Sequence, residues 1–393
     1  MPPAPPIQKI AMVSDWYAPR LGGVESHVAD LAAALARRGL DVAVLTTTKD
    51  FPMTTAGGRD FTIDRLATTT APGFGFSISP FLANQVTRRL EAGNFDVVHV
   101  HASVVSPLAL AGLIAARRLD LPAVVTFHSM LLRAADILAR AEKIWRWGES
   151  PLLFTAVSRV VAAQAGPAVG GAPVEVLSNG VDLDGWPERP RRPFVNGRKI
   201  VFATAMRLTR KKRPLELLDS FEIALKIASA SDRELELRIA GEGPLRGKIE
   251  ARIATGALAG NVRLLGRLDR DELRGLYASS DAFVMPSTRE SFGIAALEAR
   301  ASGLPVVAMT GTGADDFLTN GETALLASDD RLLAAQMARL ACDDALREKL
   351  GRRDTALKEF DWANVAERHI AAYAKAASLV RPRPPATAAE RSM

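Results

Sequence analysis

The sequence predicts an α/β protein with two parallel sheets, each covered by helices. Two observations carry this prediction. Short apolar segments alternate with segments of helical period along most of the chain, a pattern typical of parallel sheets. The alternation stops once, at residues 185–197 (GWPERPRRPFVNG), and then starts again. A proline-rich, charged segment without apolar periodicity predicts a linker, so the chain is expected to form two domains.

The first half begins with an apolar strand and a glycine-containing loop at residues 15–23. The predicted strands cover residues 7–14, 41–46, 61–65, 97–101, 123–127 and 155–158. The predicted helices cover residues 24–38, 81–91 and 107–118, with a loop at 71–80. Gly39 follows the first helix, where a glycine commonly ends one.

The second half repeats the alternation. Strands are predicted at residues 200–205, 235–240, 262–265, 282–285 and 306–309. Helices are predicted at 214–229, 244–255, 270–278, 293–302, within 330–359, and at 362–379. We therefore divide the chain into an N-terminal domain (7–188), a C-terminal domain (198–360), a closing helix (361–380) and a disordered tail (381–393).

Composition excludes several classes of protein. The chain has 393 residues, a formal charge of +6, one cysteine and five histidines. Because Cys342 is the single cysteine, an internal disulfide is excluded. No two histidines are spaced as a ligand pair on one helix face, so the sequence offers few candidate ligands for zinc. No apolar run approaches the roughly 20 residues of a membrane span, and residues 1–10 lack a secretory signal. We expect a cytoplasmic protein.

The most informative stretch is residues 285–307, MPSTRESFGIAALEARASGLPVV. Glu290 is predicted in the loop at the carboxyl end of a strand, and Glu298 on the helix that follows. Ligands of open α/β sheets bind at this edge, and the free N–H groups of a helix N-terminus suit phosphate or hydroxyl oxygens. The stretch therefore predicts a site for a polar ligand.

The glycine-rich loop of the first half is a second candidate. Gly22 and Gly23 lead from the first strand into a helix that carries Glu25. Glycines permit close approach of the backbone to a diphosphate. The GxGxxG spacing of a dinucleotide-binding turn is absent, which disfavours a nicotinamide enzyme.

Histidines and basic residues supply further candidates. His128 follows the strand at 123–127, and His99 and His101 point to one face of another strand. Satisfied core histidines are an equal interpretation for the last two. Residues 191–213 contain basic residues and no acid, but they lack the exposed aromatics of a nucleic-acid surface.

Taken together, these motifs resemble the retaining nucleotide-sugar glycosyltransferases of family 4, which have the GT-B fold of two facing Rossmann-like domains. ESFGIAALEARASGLPVV is similar to that family's Glu-x7-Glu signature, TFHS to its active-site histidine segment, and MRLTRKK to its Arg and Lys pair. GGVESH is similar to the corresponding loop of the GPI-anchor N-acetylglucosaminyltransferase catalytic subunit and related lipid-glycosylating enzymes.

The resemblance implies a role for each matching residue. It assigns catalytic roles to His128, Arg207, Lys212 and Glu290, and donor binding to Gly22, Gly23, Arg267, Phe292, Gly293, Ile294 and Glu298. Glu25 and His101 fall on the acceptor side. Two departures, Met206 and Arg213 in place of glycines, leave Lys211 as a competitor for the role of Lys212. Asp316 stands where glutamate is common.

The resemblance implies transfer of a sugar from a nucleoside diphosphate sugar, a UDP-sugar being favoured, to an acceptor hydroxyl with retention. It implies no metal or other cofactor, although Asp182-Leu-Asp184 formally matches the Asp-x-Asp metal motif of other glycosyltransferases. Two alternatives stay open, a nucleotide-sugar 2-epimerase and a non-catalytic nucleotide-sugar-binding scaffold.

The partners expected are the donor and a sugar, lipid-linked or small-molecule acceptor, and no nucleic acid. Residues 130–147 alternate apolar and basic side chains and include two tryptophans. Helices of this kind lie on anionic membranes, although most pack against a core. They predict a peripheral association with the inner face of the membrane.

Overall fold

A computed structural model describes residues 6–20, 22–49, 60–68, 79–188 and 198–380. These residues form two compact units. The first comprises the described residues up to Ala156, Ala162–Leu177 and the residues from Ala366 onward. The second comprises Val157–Val161 and Ser178–Val365. Three predicted segments lie wholly or mostly outside the described residues: most of the linker at 185–197, most of the loop at 71–80, and the disordered tail at 381–393.

The division differs from the predicted domain bounds. The chain passes into the second unit at Ser178, ahead of the predicted linker. Val181 lies there in a parallel bridge with Asp361, and its amide donates to the carbonyl of Phe360 at 2.7 Å. This backbone pairing ties residues 178–188 to the second unit, although local composition assigned them to the first domain.

The first unit contains a sheet of seven strands, all parallel. Its strands are β1 (Lys9–Ser14), β2 (Asp41–Thr46), β3 (Thr62–Arg65), β4 (Val97–Ala102), β5 (Ala123–Phe127), β6 (Leu152–Ala156) and β7 (Val174–Val176). Their order in the sheet is β3-β2-β1-β4-β5-β6-β7. The order reverses direction at the neighbours β1 and β4.

The helices of the first half follow the predicted alternation. They are α1 (Gly23–Ala36), α2 (Leu82–Gly93), α3 (Pro107–Arg118), α4 (Arg133–Trp145) and α5 (Arg159–Ala165). Pro107 begins α3, where its missing N–H has no cost. The predicted strand at 155–158 is corrected to Leu152–Ala156, and β7 was not predicted.

The second unit contains a parallel sheet of six strands. Its strands are β8 (Ile200–Ala205), β9 (Leu235–Ala240), β10 (Val262–Gly266), β11 (Ala282–Met285), β12 (Val306–Met309) and β13 (Ala324–Ala327). Their order is β10-β9-β8-β11-β12-β13, so the direction reverses at β8 and β11. Helix α6 runs over Pro214–Ser229, α7 over Arg246–Ile253, α8 over Arg270–Ala278, α9 over Ile294–Ala301, α10 over Asp330–Cys342 and α11 over Asp344–Leu350. The last helix, α12 (Trp362–Leu379), begins in the second unit and belongs to the first unit from Ala366 onward.

The core of the second unit lies between its sheet and the helices that cover it. Phe202 of β8 packs against Phe221 of α6, with ring centroids 6.5 Å apart, and both side chains are fully buried. Burial of a large apolar side chain contributes about 1.5–3 kcal/mol to the free energy of unfolding.

The strand orders of the two sheets give both units the doubly wound, Rossmann-like architecture that the sequence predicted. In such sheets a ligand binds at the switch point, where the strand order reverses direction.

Candidate active site

The switch point of the second unit carries the best-defined charged site. Strands β8 and β11 are neighbours, and the segments that follow them hold Lys212 and Glu290. The ammonium group of Lys212 donates to the Glu290 carboxylate in a short ion pair. Both side chains are partly exposed, at 28% and 15%, so a ligand can reach them.

Other cations surround this pair. Desolvation of its ammonium group and the positive charge of Lys212 lower the pKa of Lys211, whereas Glu290 raises it. Arg289 and Arg207 act in the same direction as Lys212. Five ionisable groups thus lie close enough to interact. Lys212, rather than Lys211, is the lysine in contact with the glutamate.

The backbone from Glu290 to Gly293 is held firmly. The amide of Gly313 donates to the Glu290 carbonyl at 2.9 Å, and the Ser158 hydroxyl donates to the Ser291 carbonyl at 2.6 Å. A Cβ at Gly313 would lie 1.9 Å from that Ser291 oxygen, so only glycine fits there. The fixed loop presents its amides at the start of α9.

Two residues of this loop act through their backbone. Gly293 adopts φ +97°, a left-handed conformation that favours glycine, and it caps α9. The Phe292 ring is buried and packs on Phe317 and Phe360, with centroids 5.3 and 6.0 Å away. The Phe292 side chain is therefore part of the core, and the role of its amide in donor binding stays a prediction.

The remaining predicted donor residues lie farther along the same edge. Ile294 begins α9, and Glu298 lies one turn later with its side chain partly exposed. Arg267 is exposed just after Gly266 at the end of β10. Three strand spacings separate β10 from β11, about 14 Å. The structure does not bring Arg267 beside Glu290, and its role stays a prediction.

Asp316 and the Asp182–Asp184 turn have structural partners. The Asp316 carboxylate accepts from the Arg159 amide and guanidinium, each at 2.9 Å. Asp182 Oδ1 accepts from the Gly185 amide at 3.0 Å and so closes its own turn.

The glycine loop of the first unit leads into α1. Gly22 is the N-cap residue in an extended conformation, and its carbonyl accepts from the Ser26 amide at 3.0 Å. Glu25 lies in the first helical turn and is 5% exposed, with its carboxylate 3.2 Å from the Arg20 guanidinium. Arg20 stacks on Trp16 at 3.8 Å. Glu25 is thus held by a cation rather than standing free.

All five histidines of the chain gather in the first unit. Each ring lies within 6.0 Å, centroid to centroid, of at least one other. The members are His27, His99, His101, His128 and His369, and all of them are buried. We refer to these five residues as the histidine cluster, which the spacing of the histidines in the sequence did not predict.

Hydrogen bonds order the histidine cluster. His101 Nδ1 and His128 Nε2 share a bond of 2.9 Å. Both ring nitrogens of His99 are occupied, Nδ1 by the Tyr373 hydroxyl at 2.9 Å and Nε2 by the Thr126 hydroxyl at 2.7 Å. His101 Nε2, in contrast, is buried without a hydrogen-bond partner in the described part of the chain.

Burial keeps these rings neutral. It lowers the pKa of His27, His99 and His101 well below the usual 6.5, and neighbouring histidines lower it further. Burial, followed by the charge of His369, lowers the pKa of His128 to about 3. At neutral pH each imidazole therefore has one donor and one acceptor nitrogen.

Three members of the histidine cluster lie close together. Ligand-capable nitrogens of His27, His101 and His128 lie within 4.8 Å of one another. Neutral imidazole is a ligand for zinc and related transition ions. The expectation that the histidines leave little for zinc rested on spacing along helices, and the fold assembles these three from α1, β4 and the end of β5.

Asp15, at the end of β1, is a residue that sequence reasoning missed. Its carboxylate accepts from the amides of Leu108 and Ala109, at 2.9 and 3.2 Å, at the start of α3. Burial raises the pKa of Asp15 to about 6, although these hydrogen bonds oppose the shift. An aspartate directly after an apolar strand was the only available signal.

Comparison with known proteins identifies the class. The family model "Glycosyl transferases group 1" matches residues 187–356, and "Glycosyltransferase Family 4" matches residues 21–184. Together they account for both units. The chain belongs to this glycosyltransferase family, and its two parallel-sheet, Rossmann-like units have the GT-B fold.

Curated relatives cover nearly the whole chain. A glycogen synthase of Mycobacterium tuberculosis is 30% identical over 394 residues, covering 91% of this chain and 92% of its own. A phosphatidyl-myo-inositol mannosyltransferase of Mycobacterium leprae is 28% identical over 373 residues, covering 93% and 96%. The names of these two relatives differ, but both alignments span the two units of this chain.

Solved structures share the fold. Anabaena HepE, crystallised with UDP and glucose, superposes with a TM-score of 0.72 at 19% identity, over 92% of this chain and 98% of its own. The sucrose-phosphate synthase of Thermosynechococcus elongatus superposes with a TM-score of 0.70 at 19% identity, over 93% of this chain and 98% of its own.

Among the described residues, no helix has the length and apolarity needed to cross a membrane.

Proposed function

We propose that this protein transfers a sugar from a UDP-sugar to an acceptor hydroxyl, with retention of the anomeric configuration and without a metal ion. The observation that carries the proposal is the contact of Lys212 with Glu290 at the switch point of the second sheet. A cation and a carboxylate together suit a ligand with an anionic diphosphate and a hydroxyl-bearing sugar.

The cations supply the electrostatic part of the reaction. When the bond from the anomeric carbon to the phosphate oxygen breaks, negative charge develops on the leaving diphosphate. Lys212 and Arg207 would stabilise that charge, which is the work a divalent ion does in other enzymes. Both residues lie in the segment that follows β8, and charges placed there before the reaction would need little reorganisation during the step.

The carboxylates and the histidine position the donor. Glu290 and the amides that follow it would hold the sugar, and Glu298 would accept from the ribose hydroxyls. His128 would contact the sugar, and Glu25 and His101 would lie on the acceptor side. The acceptor oxygen forms the new bond to the anomeric carbon, and its proton passes to the leaving phosphate.

A UDP-sugar is the favoured donor because HepE, which shares the fold, was crystallised with UDP and glucose. The name of the mycobacterial relative, a mannosyltransferase, makes GDP-mannose the competing donor. A few side chains around the base and sugar separate these donors, so the assignment requires a direct test.

We propose a lipid-linked acceptor at an anionic membrane surface on the cytoplasmic side. Helix α4 exposes Ile137, Ile144 and Trp145 to solvent, at 68%, 80% and 46%. Arg140 and Lys143 of the same helix are exposed as well. An apolar stripe beside basic side chains suits an interfacial helix, and one relative is named for a phosphatidyl-inositol acceptor. Co-sedimentation should be stronger with anionic than with zwitterionic liposomes.

The test of the transfer reaction is a panel of nucleotide sugars offered to the purified protein with EDTA present. One donor should raise the melting temperature and slowly release its nucleoside diphosphate. UDP-glucose, UDP-N-acetylglucosamine and GDP-mannose form the panel, and free UDP is the matched control for binding through the nucleotide alone.

Product analysis decides between transfer and the two alternatives. Release of a free epimerised sugar in the absence of acceptor would identify a 2-epimerase. Donor binding without turnover under any condition would identify a binding scaffold. Either result would overturn the proposal.

A further inference from the structure

We propose that His27, His101 and His128 form a binding site for a transition-metal ion of the zinc class. The three rings come from α1, β4 and the segment after β5, and their candidate ligand nitrogens lie within 4.8 Å of one another. Side chains from three separate elements that converge at this distance need only small ring movements to bind a common ion.

The bonding within the histidine cluster singles out these rings. His99 has both nitrogens occupied by Tyr373 and Thr126, so it has no lone pair left to offer. His101 Nε2 is buried and has no hydrogen-bond partner among the described residues. Because no partner fixes the hydrogen state of Nε2, neutral His101 can carry its hydrogen there and offer the lone pair of Nδ1 to an ion.

The geometry fits a tetrahedral ion after modest adjustment. Zinc–imidazole bonds of about 2.0–2.1 Å place tetrahedral ligands about 3.4 Å apart. His101 Nδ1 and His128 Nε2 are now 2.9 Å apart because they share a hydrogen. An ion would replace that hydrogen bond, and the ring that now donates it would move its hydrogen to the nitrogen that does not bind the metal.

The chemistry of the ligands selects the ion. Three imidazoles favour zinc, cobalt, nickel or copper over magnesium and calcium, which require oxygen ligands. An imidazole binds such an ion through the lone pair of one ring nitrogen while the other nitrogen keeps its hydrogen. The fourth position would take water, and His128 at 5% exposure is the most accessible of the three rings.

The proposed metal site and the charged pair proposed to bind the donor consist of residues from different units. Lys212 and Glu290 belong to the second unit, whereas the histidine cluster belongs to the first. If His128 contacts the sugar, zinc should slow transfer and a chelator should restore it. This consequence rests on the proposed function, whereas metal binding itself does not.

The experiment titrates the metal-stripped, tag-free full chain with Zn²⁺, Co²⁺ and Mg²⁺ by calorimetry. We expect one Zn²⁺ per chain, a raised melting temperature, a visible Co²⁺ spectrum of a four-coordinate site, and no binding of Mg²⁺. X-ray absorption of the zinc-loaded wild type should show three imidazole ligands. Because the histidine cluster contains every histidine of the chain, imidazole scattering can come from nowhere else.

Matched variants locate the site. His27→Asn should weaken Zn²⁺ binding at least 100-fold. The control is His99→Asn, because both ring nitrogens of His99 are already hydrogen-bonded, and it should alter Zn²⁺ binding less than about threefold. Cys342→Ser, which removes the single thiol, should have no effect. Absence of Zn²⁺ binding, binding unchanged in His27→Asn, or an all-oxygen ligand shell in the wild type would overturn the proposal. The wild-type spectrum decides even if a variant fails to fold.

Discussion

The two units build different chemistry on the same arrangement of strands. Both sheets are parallel and doubly wound, and both reverse direction between a first strand and its neighbour. At the reversal the first unit places neutral, buried imidazoles, and the second places partly exposed charges. The fold therefore fixes where a site lies, and the side chains at the strand ends decide what the site does.

The difference has an energetic consequence. Buried neutral rings resist protonation, so the stability of the first unit depends on pH. A partly hydrated ion pair contributes little to stability, about 0–1 kcal/mol, but it remains available to bind a charged ligand. The first unit should therefore respond most to acid, and the second to removal of a charge.

The largest expected effect is acid unfolding of the first unit. His27, His99, His101 and His128 have folded pKa values below the unfolded value of about 6.5. Their contribution to stability is complete above pH 6.5 and is lost as the pH falls toward the folded values, near 3 for His128. Four such groups correspond to as much as about 5 kcal/mol per pH unit. Regional hydrogen exchange between pH 7 and pH 5 measures this loss.

The control for this experiment is the second unit, which contains no histidine in the whole of the sequence assigned to it. Its peptides should remain protected at a pH where β4 and β5 exchange. Loss of protection in the second unit first, or in both units together, would contradict the comparison.

The next effect in size concerns the charged pair. Lys212→Ala should lower transfer about 100- to 1000-fold, the cost of removing one stabilising group for developing charge. Stability should fall by less than about 1 kcal/mol, since both partners are partly exposed. Steady-state assays and urea denaturation of the same preparation separate the two effects.

The matched control is Lys211→Ala, which removes an adjacent lysine that does not make the contact with Glu290. It should lower transfer less than about tenfold. If Lys211→Ala lost more transfer activity than Lys212→Ala, the role of stabilising the leaving diphosphate would belong to Lys211 instead.

The smallest expected effect concerns Asp15, in the first unit. Asp15 has a pKa raised by burial to about 6, above the unfolded value near 3.8. Its contribution to stability is therefore complete below pH 3.8 and is lost as the pH rises through 6. Asp15→Asn retains an acceptor oxygen without the charge. Relative to wild type, it should gain about 2–3 kcal/mol in the free energy of unfolding between pH 4.5 and pH 8.

Asp96→Asn is the control for this change. Asp96 also accepts hydrogen bonds from two backbone amides, those of Gln8 and Lys9 at 2.8 Å each, but it is partly exposed. It should not gain stability at pH 8. Equal behaviour of the two variants would show that burial of Asp15 is not the cause.

Local sequence predicted most elements well where the periodicity was long. Helices Pro214–Ser229, Pro107–Arg118 and Trp362–Leu379 have the bounds expected from their apolar pattern. The short strands Val174–Val176 and Ala324–Ala327 were not predicted. Four-residue strands at 282–285 and 306–309 were predicted, so length alone did not decide, although runs this short carry little alternation.

The candidate site was only partly accessible from the sequence. Glu290 and Lys212 matched motifs of a known family, and the structure places them in contact, although their catalytic roles stay predictions. Asp15 matched no motif. Its role at the start of α3 became visible only when β1 was placed beside β4.

The sequence by itself determined the α/β class, the two repeated halves and the residues that follow each strand. Only the tertiary structure decided which of those residues meet. His27, His99, His101, His128 and His369 are scattered along the chain, and they gather because β4 pairs with β5 and because α1 and α12 bring further rings to the same place. Local residue patterns encode the period of a strand or helix, whereas the order of strands in a sheet depends on how the whole chain buries its apolar surface.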